Sequence, residues 1–168
     1  MAGSSHYTPP MPEFQRAPKV LIVVAPYYRD IADDLIAGAR AVLDGVGAVH
    51  ETVEVPGALE IPTAVRIAHR TADFDGFVAL GCVIRGDTTH YETVCNDSSR
   101  GLTLLGLDGC CIGNGILTVE TMEQARVRAG EGDKGGGAAQ AALHLIALSR
   151  RWSEQTKGVG FVARGEDT

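Results

Sequence analysis

Aromatic residues are scarce in this chain, 5% of 168 with a single tryptophan. No apolar run approaches the ~20 residues of a membrane-spanning helix, so no membrane partner is expected. Basic charge is also short: 15 lysines and arginines face 21 acidic residues, for a net charge of −6. A nucleic-acid surface needs a basic footprint, which excludes that partner class as an expectation. There is no G-x-G-x-x-G, no P-loop lysine motif and no G-x-S-x-G elbow. The four cysteines, Cys82, Cys95, Cys110 and Cys111, form no C-x-x-C pair. They read as small buried hydrophobes in a reducing compartment rather than as a zinc site or disulfide framework. Residues 1–18 hold four of the seven prolines and lack the apolar core of a secretory signal. They are read as a flexible leader on a cytoplasmic protein.

What is present is ordinary globular chemistry, 45% hydrophobic and 21% charged, enough for one domain over residues 19–151. Residues 152–168 are expected to form a mobile tail. Glycine is in excess, 21 residues, which points to tight turns or to backbone brought close to a ligand. Residues 19–25, KVLIVVA, form a β-branched run of the kind buried on both faces of a sheet. A helix follows with Ile31, Leu35, Ile36, Ala39, Val42 and Leu43 on one face and Asp30 as its N-cap. A strand at 50–55, a helix with Pro62 in its first turn, a strand at 77–84 and a helix over 90–105 come next. A fourth strand lies within 110–117. Thr121 and Gln124 have capping-box spacing for a short helix to Ala129. The last helix is expected over 137–151, with Ala141, Leu145, Ile146 and Leu148 inward.

Strands alternating with helices predict a parallel sheet covered on both faces, a three-layer α/β/α sandwich. In such sheets ligands lie beyond the carboxyl ends of the strands, which directs attention to the turns at 26–29, 56–60, 85–90 and 114–119. In the third, glycine, Thr88, Thr89 and His90 stand where a strand hands over to a helix. That is either a ready anion site with a proton-relaying imidazole or a capped helix beginning with a surface histidine. Glu60 either compensates a helix dipole or accepts hydrogen bonds from ligand hydroxyls. Tyr27 and Tyr28 either stack on a planar ring or belong to the core rim. Arg128 and Lys134, taken alone, are solvated charges.

The combination VPGALEIP, GCVIRGDTTHYETV, GNGILTVETMEQARVRAG and KGGGAAQAALHLIAL, in this order and spacing, closely resembles the 6,7-dimethyl-8-ribityllumazine synthase family. The resemblance runs from about Lys19 to Arg151. It implies a four-stranded parallel sheet of flavodoxin-like topology and a transferase of riboflavin biosynthesis that uses no metal or redox cofactor. The implied substrates are 5-amino-6-(D-ribitylamino)uracil and 3,4-dihydroxy-2-butanone 4-phosphate. By the same resemblance, Tyr27 takes the place of the ring-stacking aromatic, and Ala58, Leu59 and Glu60 hold the ribityl chain. Cys82, Val83 and Ile84 match the strand end that bonds the pyrimidine edge. Asp87 and Thr88 match the phosphate-binding pair, and His90 the proton-transfer histidine. Asn114 and Arg128 match positions contributed by a neighbouring subunit, since the family forms homopentamers and pentamer-based assemblies. A catalytically weak paralogue, kept as a flavin or lumazine carrier or as a structural assembly, is the alternative.

Overall fold

The β-branched run after Pro18 and the run GFVALGCVI become the two central strands of the sheet in the computed structural model, which describes residues 7–157. In chain order the elements are β1 (Lys19–Val24), α1 (Arg29–Gly45), β2 (Val49–Glu54), a 3-10 turn (Ala58–Glu60), α2 (Ile61–Thr71), β3 (Gly76–Ile84), α3 (His90–Leu107), β4 (Ile112–Val119), α4 (Met122–Ala129) and α5 (Lys134–Lys157). All four strands are parallel, in the order β2-β1-β3-β4. β1 and β3 are buried on both faces, which is why their sequences run apolar without alternation. The edge strand β2, VHETVE, is half solvated and carries charge.

Two apolar layers enclose the sheet. Val20, Ile22 and Val24 meet Leu35, Leu43, Leu143 and Ile146 on the side of α1, α4 and α5. Leu21, Val23 and Phe77 meet Ile61, Val65 and Leu102 on the side of α2 and α3. The three-layer α/β/α sandwich is therefore observed, with flavodoxin-like strand order.

Several local expectations are corrected. α1 starts at Arg29 with Tyr28 at its cap and no side-chain cap bond, so Asp30 lies inside the first turn. There its carboxylate still suits the helix dipole. α5 begins three residues earlier than expected and presents Ala138, Ala139, Ala142, Leu143 and Ile146 inward. Ala141, Leu145 and Leu148 face outward instead. The reason is backbone proximity. A Cβ at Gly135 would lie 2.0 Å from the Leu35 carbonyl oxygen, and one at Gly113 would lie 1.8 Å from that of Ala138. Only the small-residue face of α5 lets the backbones approach this closely, and it displaces the leucine face. Asp133, at φ 40°, caps the helix by accepting from the Gly136 N–H at 2.9 Å. α5 then continues through Lys157, so the first part of the expected tail is helical, and residues 158–168 lie outside the described residues. Of the leader, residues 1–6 lie outside them too, while Phe14 packs on the core beneath the Arg150 guanidinium, 5.6 Å from its ring centroid.

Candidate active site

β3 outruns β1. Pairing between them ends at Val24↔Leu80, with the Ala25 N–H donating to the Leu80 carbonyl at 2.9 Å, whereas β3 stays paired with β4 as far as Ile84↔Val119. With the strand period of two, Cys82 and Ile84 turn their backbone N–H and C=O toward the side that β1 has vacated. A cavity of about 410 Å³ opens there, at the point where strand order reverses about β1 and β3.

Two turns, a strand end and a helix start wall it. Ala25, Tyr27 and Tyr28 follow β1, residues 56–60 follow β2, and Cys82, Val83 and Ile84 end β3, with His90 and Val94 of α3 closing the side. The Val55 N–H donates to the Val24 carbonyl at 2.9 Å, which fixes the second turn against the first. Glu60 folds back over Gly57, where a Cβ would lie 2.9 Å from Oε2. Tyr27 stands 75% exposed at the rim, its ring edge-on to that of Tyr28 at 5.0 Å between centroids. Such a ring is open to a planar ligand on one face. Burial, then the neighbouring Tyr27 and Cys82, raises the pKa of the half-buried Tyr28 phenol.

Cys82 is not a nucleophile here. Burial pushes its thiol up to about 11, and Cys95 is likewise raised by burial, so neither offers thiolate at neutral pH. At the start of α3 the cap residue Thr89 makes no side-chain cap bond. Thr89 occupies the cap position in helical conformation, and the His90 N–H donates to Thr88 Oγ1 at 3.4 Å. The Glu92 N–H donates to the Thr89 carbonyl at 3.1 Å, closing the first turn in 3-10 fashion.

The expected residues divide. Tyr27, Ala58, Leu59, Glu60, Cys82, Val83, Ile84 and His90 come together in the cavity. Asp87 and Thr88 sit on the adjoining turn, outside the lining. Asn114 and Arg128 do not reach it in this chain. Asn114 lies within β4 rather than in a turn, because the strand extends to Val119; its Oδ1 accepts from the Ile116 N–H at 3.0 Å, and it borders a separate cavity of about 530 Å³ among Leu102, Leu145 and Leu148. Arg128 is exposed on α4, its nearest partner the Gln124 carbonyl at 3.4 Å. Tyr28, Pro56 and Gly57 lie in the turns at 26–29 and 56–60 that the sequence singled out, whereas Ala25 and Val94 were not expected. Val94 was legible, being one helical turn beyond His90 on the same face of α3. Among the described residues no lysine or arginine lines the cavity, and no group of three or more His, Cys, Asp and Glu is arranged to hold a metal ion.

These features define a class: a doubly covered parallel sheet with a half-open cavity at its switch point, walled by aromatic rings, strand-end amides and one imidazole. The family model described as 6,7-dimethyl-8-ribityllumazine synthase matches residues 17–150. The chain is 58% identical over 167 residues to the protein of that name from Jannaschia sp. (strain CCS1), covering 98% of this chain and 94% of the relative. It is 54% identical over 137 residues to the one from Novosphingobium aromaticivorans, covering 80% and 99%, and 55% identical over 141 residues to the one from Azorhizobium caulinodans, covering 79% and 87%. The chain belongs to the 6,7-dimethyl-8-ribityllumazine synthase family, a family of enzymes. Nothing in these likenesses supports the carrier or purely structural alternative.

Proposed function

We propose that this protein condenses 5-amino-6-(D-ribitylamino)uracil with 3,4-dihydroxy-2-butanone 4-phosphate, forming 6,7-dimethyl-8-ribityllumazine with release of phosphate and two water molecules. The observation that carries this reading is the vacated edge of β3. The alternating N–H and C=O groups of Cys82 and Ile84 match the amide-like edge of a pyrimidine, with Tyr27 standing beside them as a stacking surface. Ala58, Leu59 and Glu60 hold the ribityl chain, the carboxylate accepting from its hydroxyls.

The dihydroxybutanone phosphate lies toward α3. Thr88, the Asp87 N–H and the N-terminus of α3 bind its phosphate. The aminouracil amine attacks the ketone, and loss of water gives an imine. Proton removal beside that imine expels phosphate, and the ribityl-bearing nitrogen then closes the ring with loss of the second water. His90 moves the protons, and much of the acceleration comes from holding the two substrates in line.

A phosphate dianion calls for a cation, and among the described residues the lining supplies no lysine or arginine. Arg128, exposed on α4, serves the cavity of an adjacent copy, with Asn114 beside it, in a homopentamer or pentamer-based assembly. A guanidinium fits this role because it meets phosphate in a planar, bidentate fork. No described helix is long and apolar enough to cross a membrane, and the protein works in the cytoplasm. The test is a turnover assay with both substrates, followed by lumazine absorbance or fluorescence, with a chelator present. Product should form at an unaltered rate. Authentic substrates left unconverted, or activity lost to the chelator, would overturn the reading.

A further inference from the structure

We propose that Arg85 is a positioning residue: it braces the turn bearing Thr88 and His90 for phosphate binding and proton transfer without touching substrate. This rests on the function proposed above.

Arg85 is the first residue beyond β3, and its N–H donates to the Val119 carbonyl at 3.0 Å. Ile84, just before it, lines the cavity; Arg85 does not. Its side chain runs to the far side of the turn. Nε donates to Glu120 Oε2 at 2.7 Å, Nη1 donates to Glu92 Oε1, and the guanidinium carbon lies 4.2 Å from the Tyr91 ring centroid. Tyr91 and Glu92 directly follow His90 in the first turn of α3. Glu120 is itself held, its N–H donating to Gln124 Oε1 at 2.9 Å in the cap of α4. One guanidinium thus joins the end of β3, the start of α3 and the start of α4.

The turn has little else to hold it. The hydrogen bond from the His90 N–H to Thr88 Oγ1 is long, and beyond its chain neighbours nothing packs within 4 Å of where a Cβ on Gly86 would be. Arg85 is the conspicuous cation beside the phosphate turn, yet two carboxylates already occupy it. Its hydrogen bond holds the Glu92 carboxyl below the usual range. A cation surrounded in this way acts as a brace rather than as an anion ligand. Arginine is required because a planar fork can serve two carboxylates while stacking on a ring; an ammonium cannot.

The test compares the wild-type oligomer with Arg85→Gln, Arg85→Lys and Glu120→Ala. It reads inorganic phosphate binding by calorimetry, kcat, KM for each substrate, solution mass and melting temperature. A displaced catalytic turn should cost roughly tenfold in both phosphate affinity and kcat for Arg85→Gln, with KM for the aminouracil unchanged within about twofold. Arg85→Lys should recover only part of that loss. Glu120→Ala should also weaken phosphate binding, about threefold, although it removes a negative charge. Full recovery in Arg85→Lys, or tighter phosphate binding in Glu120→Ala, would make Arg85 a direct ion partner and overturn the proposal. So would unchanged kcat and phosphate affinity in Arg85→Gln. If Arg85→Gln fails to assemble, the lysine and Glu120 variants carry the same decision. The calorimetric arm needs no turnover, so an inactive wild type would refute the proposed function while still deciding the role of Arg85.

Discussion

The cavity at the carboxyl ends of β1 and β3 and the outer edge formed by β4 and α4 hold residues singled out on the same grounds, yet they differ in kind. The cavity draws His90, Glu60, Tyr27 and the Cys82–Ile84 edge from separate segments and carries no lysine or arginine among its lining residues. The edge carries Asn114 and Arg128, both exposed and directed elsewhere. In the proposed reading, a single chain recognises the heterocycle and the polyol, and carries the cation for the phosphate on its opposite flank. Under the function proposed above, the difference is resolved by symmetry, each copy supplying the pocket for one site and the arginine for another.

The largest expected effect comes from removing the chemistry of the cavity itself. His90→Ala should lower kcat by about 10²–10³-fold, within the range of general acid–base catalysis, with KM values and solution mass little changed. A kcat within about twofold of wild type would reduce His90 to a helix-start residue.

Arg128→Ala probes the other flank. It should raise KM for the butanone phosphate by about 10–100-fold, as expected for loss of a charge-assisted bidentate pair, and leave KM for the aminouracil nearly unaltered. Mixing the His90→Ala and Arg128→Ala proteins after dissociation and reassembly should restore activity, because some sites then hold both intact residues. Mixed oligomers that stay inactive would place both residues in one chain's site and erase the contrast between the two regions.

Gly135→Ala asks whether the scaffold beneath both regions depends on close backbone contact. The added methyl would meet the Leu35 carbonyl oxygen. Overpacking of this kind should cost about 1–3 kcal/mol, or roughly 2–10 °C in Tm, while kcat per folded molecule stays near wild type. An unshifted Tm would show that α5 can slide without penalty.

The smallest effect concerns the neutral wall of the cavity. Cys82 titrates at about 11 when folded against 9.0 when exposed. Below pH 9 both states hold the proton; between 9 and 11 the unfolded state releases it first, so stability is lost as pH rises through this window. Cys82→Ala should flatten that alkaline decline in Tm. Alkylating agents at pH 7 should leave activity intact, since the thiolate is on the order of 10⁻⁴ of the total at that pH. Rapid inactivation with Cys82 modified would contradict an unreactive thiol.

The sequence by itself determined whatever depends on neighbours a few residues apart. The β-branched runs made β1 and β3 central, and the alternation of strand and helix made the sheet parallel. Thr121 and Gln124 formed the expected cap, with Thr121 Oγ1 accepting from the Gln124 N–H at 3.2 Å. The turn motifs, read with a family resemblance, named most of the cavity wall. Only the tertiary structure decided the rest. The inward face of α5 was set by Gly113 and Gly135 meeting backbone far away in sequence, which no helical periodicity in 134–157 encodes. The open edge at Cys82 and Ile84 exists because β1 stops short of β3, a matter of register between strands. Arg85 found Glu120 across 35 residues. Local pattern carries propensity and amphipathicity, whereas close approach of backbones, strand register and charge pairing are fixed only when distant segments pack.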